Sequence, residues 1–234
     1  MGVKSEHKKR QIAIIAKHPF YIEDIRNLLL DLEIEIISSE DLSQLQKYSE
    51  GGYKFDYIFF PHYSKIIPSL FLEKNICIGF HTGDLPSDRG GSPIQNKILQ
   101  GRYNTVVSAL RLVPEIDAGD ILCCENISLE FGTIDEILKN ISKKIARMVR
   151  LILTESLTPV PQSNSASTLP RLGPQDSELN LEVLDPRGIY DRIRMLDGLD
   201  YPSAYIAIGP YRILLSDAQF LNGNLTFRSQ LEET

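Results

Sequence analysis

Two periods of apolar residues alternate along the chain. Gln11-Ile12-Ala13-Ile14-Ile15-Ala16 is a short β-branched run and reads as a buried strand. Ile22, Ile25, Leu28, Leu29 and Leu32 then recur at helical spacing. Glu33 to Ile37 predicts a second strand, and Asp41 a cap for a helix reaching Tyr48. Gly51-Gly52 marks a loop before a third strand at Tyr57–Phe60 and a fourth at Ile76–Phe80. Thr105 to Val113 predicts a further strand. Apolar strands alternating with helices imply a parallel sheet covered on both faces, with ligands at the carboxyl ends of its strands.

Two helix starts stand out. Ser92-Pro93 offers a hydroxyl cap and a proline at the first helical position, for a helix from Ile94 to Leu99 that stops at Gly101. Thr133 and Glu136 form a capping box, and Ile134, Ile137, Leu138, Ile141, Ile145, Val149 and Ile152 mark the apolar face of a long helix. Lys139, Lys143, Arg147 and Arg150 line another face, which reads as a solvated surface. From 155 to 175 the composition shifts to Pro, Ser and Thr without periodicity. Beyond it, Ile189, Ile193 and Leu196 suggest a short helix. Gly209-Pro210 and Asn222-Gly223 are hairpin signals between strand-like runs. The expected organisation is α/β: a Rossmann-like parallel-sheet domain over 1–157, a linker over 158–174, and a small β-rich C-terminal domain over 175–234.

Composition narrows the class. The chain has 234 residues, 42% hydrophobic and 24% charged, ordinary for a soluble globular protein. No apolar run approaches the ~18 residues that span a bilayer. The basic start, Met1 to Arg10, lacks the apolar stretch and cleavage site of a signal peptide. Cys77, Cys123 and Cys124 form no CxxC pair, so a reduced, cytoplasmic setting is expected. A net charge of −6 argues against a broad nucleic-acid surface. His7, His18, His62 and His81 are scattered, with no metal-binding pair, and no metal is expected. Ala16-Lys17-His18-Pro19-Phe20 stands where a dinucleotide-binding sheet carries its glycine fingerprint, which argues against a dehydrogenase.

Chemistry concentrates in two segments. Phe80-His81-Thr82-Gly83-Asp84-Leu85-Pro86-Ser87-Asp88-Arg89-Gly90-Gly91-Ser92-Pro93 is poor in core formers and rich in Gly, Pro and titratable groups. Val113-Pro114-Glu115-Ile116-Asp117-Ala118-Gly119-Asp120 puts an Asp on a tight turn after an apolar strand. A His and an Asp on neighbouring strand ends, 36 positions apart, could form a proton-transfer pair.

These segments resemble the formyltransferase family that uses formyl-tetrahydrofolate. Its pattern reads Asn-x-His, Ser-Leu-Leu-Pro-x-x-Arg-Gly, a proline-led helix, and Asp-x-Gly at this spacing. The resemblance spans residues 55 to 155. In the tail, Tyr190-Asp191-Arg192-Ile193-Arg194 and Tyr201-Pro202-Ser203-Ala204-Tyr205 look like the small C-terminal domain of sugar-nucleotide and methionyl-tRNA formyltransferases. Arg-Gly-Gly-Ser-Pro-Ile-Gln at 89–95 looks more like the sugar-modifying members.

The resemblance implies N10-formyltetrahydrofolate as cosubstrate and a nucleotide-linked amino sugar as acceptor, without nucleic-acid or membrane partners; a homodimer is among the assemblies it allows. It implies catalytic roles for His81, Asp117 and the position of Gly79, where the family carries its formyl-orienting Asn. Phe60, Tyr63, Ile66, Val113 and Ile116 would wall the pterin pocket; Arg89, Arg194 and Tyr201 would meet the acceptor. The rivals are methionyl-tRNA formylation, glycinamide ribonucleotide formylation, and a degenerate, non-catalytic folate- or nucleotide-binding protein, which Gly79 supports.

Overall fold

The computed structural model describes residues 9–163 and 166–233. The basic start at 1–8, with His7, lies outside them, as do positions 164 and 165 of the expected linker.

The elements follow in chain order: β1 (Arg10–Ile15), α1 (Pro19–Leu28), β2 (Ile34–Ser39), α2 (Leu42–Glu50), β3 (Tyr57–Phe60), α3 (Ser69–Lys74), β4 (Cys77–Thr82), β5 (Arg89–Gly90), α4 (Pro93–Leu99), β6 (Asn104–Arg111), β7 (Ile121–Ser128), α5 (Ile134–Thr154), β8 (Thr168–Leu169), α6 (Pro186–Arg194), β9 (Ala204–Ile208), β10 (Tyr211–Leu221) and β11 (Asn224–Glu233). Helix α3 escaped the sequence reading because six residues are too few to show a period.

The large sheet has the order β2-β1-β3-β4-β6-β7. Its first four strands are parallel, with Ile14 of β1 beside Ser38 of β2 and Phe59 of β3, and Phe60 beside Gly79 of β4. Strand β1 lies between β2 and β3, and its residues Ile12 to Ile15 are fully buried, which explains the unbroken apolar run. The remaining strands depart from the expected direction. Gly83 N–H donates to Val106 O, whereas Leu112 N–H donates to Cys77 O, so β6 runs antiparallel to β4. Strand β7 returns as a hairpin partner, with Arg111 N–H on Asp120 O and Leu129 N–H on Tyr103 O. The sheet is therefore mixed, parallel on one side and antiparallel on the other. Strand β6 is buried on both faces from Val107 to Leu110, so its apolar run reads like that of a parallel strand and does not declare its direction in sequence.

The chain divides into two compact units: residues 1–81, 107–125 and 142–164, and residues 82–106, 126–141 and 165–234. This cuts across the expected boundaries at 157 and 175. The reason lies inside the second unit, where α6 is tied to the segment before α5: Arg194 donates to Leu129 O and Gly132 O, at 2.7 and 3.1 Å. The same unit holds a three-stranded antiparallel sheet, β11-β10-β9, closed by the two turns read from sequence, with Gly209, Asn222 and Gly223 at positive φ. Thr133 and Glu136 form the expected box, with Thr133 N–H on Glu136 Oε2 and Glu136 N–H on Thr133 Oγ1.

Ser92 differs. It sits in the left-handed region (φ 47) and makes no side-chain cap. Its hydroxyl accepts instead from Leu172 N–H at 3.1 Å, and Asn96 Nδ2 covers Ser92 O. In the first unit, Arg147 pairs with Glu125 and Arg150 with Asp31, so two members of the basic stripe on α5 are held by carboxylates of that unit. No helix among the described residues is long and apolar enough to cross a membrane.

Candidate active site

His81 lies in β4, and with a period of two its side chain shares a face with Cys77 and Gly79. Its imidazole is 6% exposed. Asp117 reaches it from a less expected direction. Because β6 runs against β4, the chain leaves Arg111 beside the amino end of β4, not the carboxyl end. The loop after β6 must double back. Asp117 adopts φ 51, in the left-handed region that Asp tolerates better than most residues. At Gly119 the turn closes tightly on the strand: a Cβ there would lie 1.7 Å from Arg111 O, so only glycine fits. The result is His81 Nδ1 3.3 Å from Asp117 Oδ2, with the carboxylate 19% exposed.

This separation is a loose hydrogen-bond distance. A carboxylate facing Nδ1 selects the tautomer protonated there and puts the basic lone pair on Nε2.

One residue that sequence reasoning missed belongs to this arrangement. Gln162, inside the expected linker, donates through Nε2 to Asp117 O at 2.7 Å and to Gly119 O at 2.8 Å. Val160, two residues earlier, exchanges reciprocal backbone hydrogen bonds with Ile121 at the start of β7. No periodic signal marks such a strap.

At Gly79 the missing side chain leaves a space that is filled. A Cβ there would meet Leu112 Cδ2 at 2.5 Å and Cγ at 3.1 Å. Leu112 also packs on the core cluster that includes Phe60 and Cys77. The face of β4 beside His81 thus carries an isobutyl group over Gly79.

The expected pocket residues divide. Phe60 is buried core, edge-on to Tyr63 with ring centroids 5.2 Å apart, so it does not wall a ligand. Tyr63 is half-buried, and burial together with the Asp41 charge raises its phenol. Ile66 and Ile116 are 92% and 68% exposed, and Val113 is also exposed. Large apolar side chains in water on these loops suit contact with a ring system, and Ile116 adjoins Asp117. His18 and His62, on loops after β1 and β3, come together with Tyr21: His62 stacks on Tyr21 and lies 6.1 Å from His18, centroid to centroid. Among the described residues no group of three or more side chains could hold a metal ion.

The expected acceptor residues lie in the second unit. Arg194 is 1% exposed, and Asp191 and two carbonyls take up its donors, so it is a packing residue and cannot contact an acceptor. Arg89 has its backbone in the short β5-β8 ladder and is half-buried. Tyr201 is half-buried, and burial raises its phenol. The acidic residues of the His81 segment are structural. Lys97, fully buried, pairs with Asp84 and with Asp88 Oδ2 at 2.6 Å. Arg102 bridges the same two carboxylates. Burial alone would raise the Asp88 carboxyl, but hydrogen bonds from Lys97 and Arg102 outweigh it and hold it at about 2. Cys77 is core, and burial pushes its thiol to about 12; Cys123 is pushed to about 11 by burial and the neighbouring Cys124 and Glu125.

Comparison with known structures decides the family. A methionyl-tRNA formyltransferase from Clostridium thermocellum superposes with a TM-score of 0.87 and 34% identity, covering 96% of this chain and 100% of that one. The chain belongs to the formyltransferase family. The formyltransferase also matches the family model for the methionyl-tRNA formyltransferase C-terminal domain over residues 174–230. Methionyl-tRNA formyltransferase from Streptococcus pyogenes is 26% identical over 219 residues, 90% of this chain and 70% of that protein. A formyltransferase from Anoxybacillus kamchatkensis, solved with a UDP-linked formamido sugar and tetrahydrofolate, shares the fold at TM-score 0.53 and 21% identity, over 68% of this chain and 85% of that one. The leaning towards sugar-modifying members read from 89–95 therefore finds weaker support than the methionyl-tRNA rival.

Proposed function

We propose that this formyltransferase moves a formyl group from N10-formyltetrahydrofolate to a primary amine, and that the amine is the aminoacyl end of a charged methionyl-tRNA. The observation that carries the transfer is the His81–Asp117 pair, 3.3 Å apart and largely withdrawn from water. The acceptor reading rests on the relatives at 26% and 34% identity and on the match over residues 174–230.

When bound, the folate supplies an activated formyl carbon. Ile66, Val113 and Ile116 offer the apolar surface that would hold its rings. An attacking amine becomes cationic as its nitrogen bonds to that carbon, and it must lose a proton. His81 Nε2 accepts this proton, while Asp117 at Nδ1 keeps the ring oriented. The proton then passes to the departing folate nitrogen as its bond to carbon breaks. Gly79 cannot donate to the oxyanion, so that role falls to backbone N–H groups or water.

A nucleotide-linked amino sugar remains the second reading, favoured by charge. Acidic residues outnumber basic ones across 174–230, and the chain carries −6 overall, which opposes docking on a polyanionic RNA. The test is tetrahydrofolate release from N10-formyltetrahydrofolate with methionyl-tRNA, and separately with 3-amino and 4-amino dTDP-, UDP- and GDP-sugars. Turnover on the tRNA alone supports the first acceptor, and turnover on one sugar alone replaces it with the second. Folate binding without turnover on any acceptor overturns the transfer reading in favour of a non-catalytic binder.

A further inference from the structure

We infer that Gln162 is a positioning residue: its side-chain amide holds the turn that carries Asp117 in the conformation from which the carboxylate meets His81. The inference rests on the reading of His81 and Asp117 as the reacting pair.

The turn has reason to drift. Asp117 sits at φ 51, a backbone conformation that L-residues occupy at a cost. Ala118 N–H reaches Glu115 O only at 3.4 Å. The carbonyls of Asp117 and Gly119 both point to one place, and Gln162 stands there. A primary amide carries two N–H donors on one nitrogen, and here they reach Asp117 O at 2.7 Å and Gly119 O at 2.8 Å. One side chain thereby ties the residue bearing the carboxylate to the glycine packed on Arg111 O.

The amide is itself anchored. Val160 and Ile121 exchange two hydrogen bonds, at 2.8 and 2.9 Å, which fasten the strap to the first residue of β7. The strap, the turn and His81 all belong to the first unit. The geometry also requires an amide in particular. Glutamate has nearly the same volume but would set a carboxylate against two carbonyl oxygens. Methionine keeps the length and removes both donors.

The experiment measures kcat and KM for formyl transfer in the full chain with Gln162→Met, Gln162→Glu and His81→Ala, each checked for folding by circular dichroism. Displacing a catalytic group by about 1 Å costs on the order of 10²-fold. The expected result is a kcat lower by roughly 10- to 100-fold in both Gln162 variants, the Glu variant at least as impaired as Met, with KM for the folate within about twofold of the parent. A Gln162→Glu variant with the parent kcat overturns the proposal, because shape without donation would then suffice. A raised KM at unchanged kcat also overturns it, by moving Gln162 to ligand binding. If either variant fails to fold, the other decides; if both unfold, the strap supports the fold and the proposal falls. The His81→Ala control separates the two levels. Parent activity there refutes the transfer mechanism itself, whereas a dead His81→Ala beside active Gln162 variants refutes only the role of Gln162.

Discussion

Placing asparagine at position 79 restores the side chain that the family pattern carries there, and from sequence alone it should be tolerated or should raise the rate. The structure predicts otherwise. The new Cβ would lie 2.5 Å from Leu112 Cδ2 and 3.1 Å from Cγ, against the ~3.5–4.0 Å of an ordinary carbon–carbon contact. Leu112 must swing away, yet it is packed on the cluster around Phe60 and Cys77. Overpacking of this kind costs about 1–3 kcal/mol. Gly79→Asn should therefore lower the urea midpoint without raising turnover. Gly79→Asn with Leu112→Ala should recover much of that loss, because the smaller residue vacates the space the amide needs. Urea titration of the two single variants and the double gives the coupling directly, expected at about 1 kcal/mol or more. If the amide then reaches the developing oxyanion, the double variant should turn over faster than Leu112→Ala alone, by up to ~10²-fold. A Gly79→Asn variant with parent stability, or zero coupling with Leu112, would show that Leu112 does not occupy the site and would sink the reasoning.

Three further tests address the rest of the molecule. His81→Ala and Asp117→Asn should each lower kcat by about 10²–10⁴-fold, the usual contribution of a positioned acid or base, with circular dichroism unchanged; parent rates in either exclude the proton-transfer role. Lys97→Met should destabilise the fold by about 1.5–3 kcal/mol, the usual worth of a hydrogen bond to a charged group, since it leaves Arg102 alone to pair the buried Asp88 carboxylate, and an unchanged urea midpoint would contradict the pairing. The Asp88 carboxyl lies below its unfolded value of 3.8, at about 2, so its contribution is present above pH 3.8 and is lost as pH falls through about 2. That amounts to roughly 2 kcal/mol and should vanish in Asp88→Asn, read as a smaller difference in urea midpoint between pH 6 and pH 2.

Much of this protein is legible in its residues. The buried β1, the Thr133–Glu136 box and the two C-terminal hairpins follow from periodicity, capping chemistry and turn preferences, all of which act over a few neighbouring positions. The His81 and Asp117 segments are legible for the same reason, being short, dense in Gly and titratable groups, and unlike core. Arg194 could not be read in this way: an arginine reaching an acceptor and one buried against Asp191 look alike until Leu129 O and Gly132 O are placed beside it. Asp84 and Asp88, which lend the His81 segment its reactive look, are structural because Lys97 and Arg102 arrive from another helix and loop.

The chain by itself determined the local elements, the candidate His81–Asp117 pair and the resemblance to formyltransferases, since these depend on residue types at fixed short spacings. Tertiary structure alone decided that β6 opposes β4, that the Asp117 loop must therefore fold back, that Gln162 secures it and that Leu112 fills the space above Gly79. Each of these joins residues tens of positions apart through packing and hydrogen bonds, and no local pattern encodes such meetings.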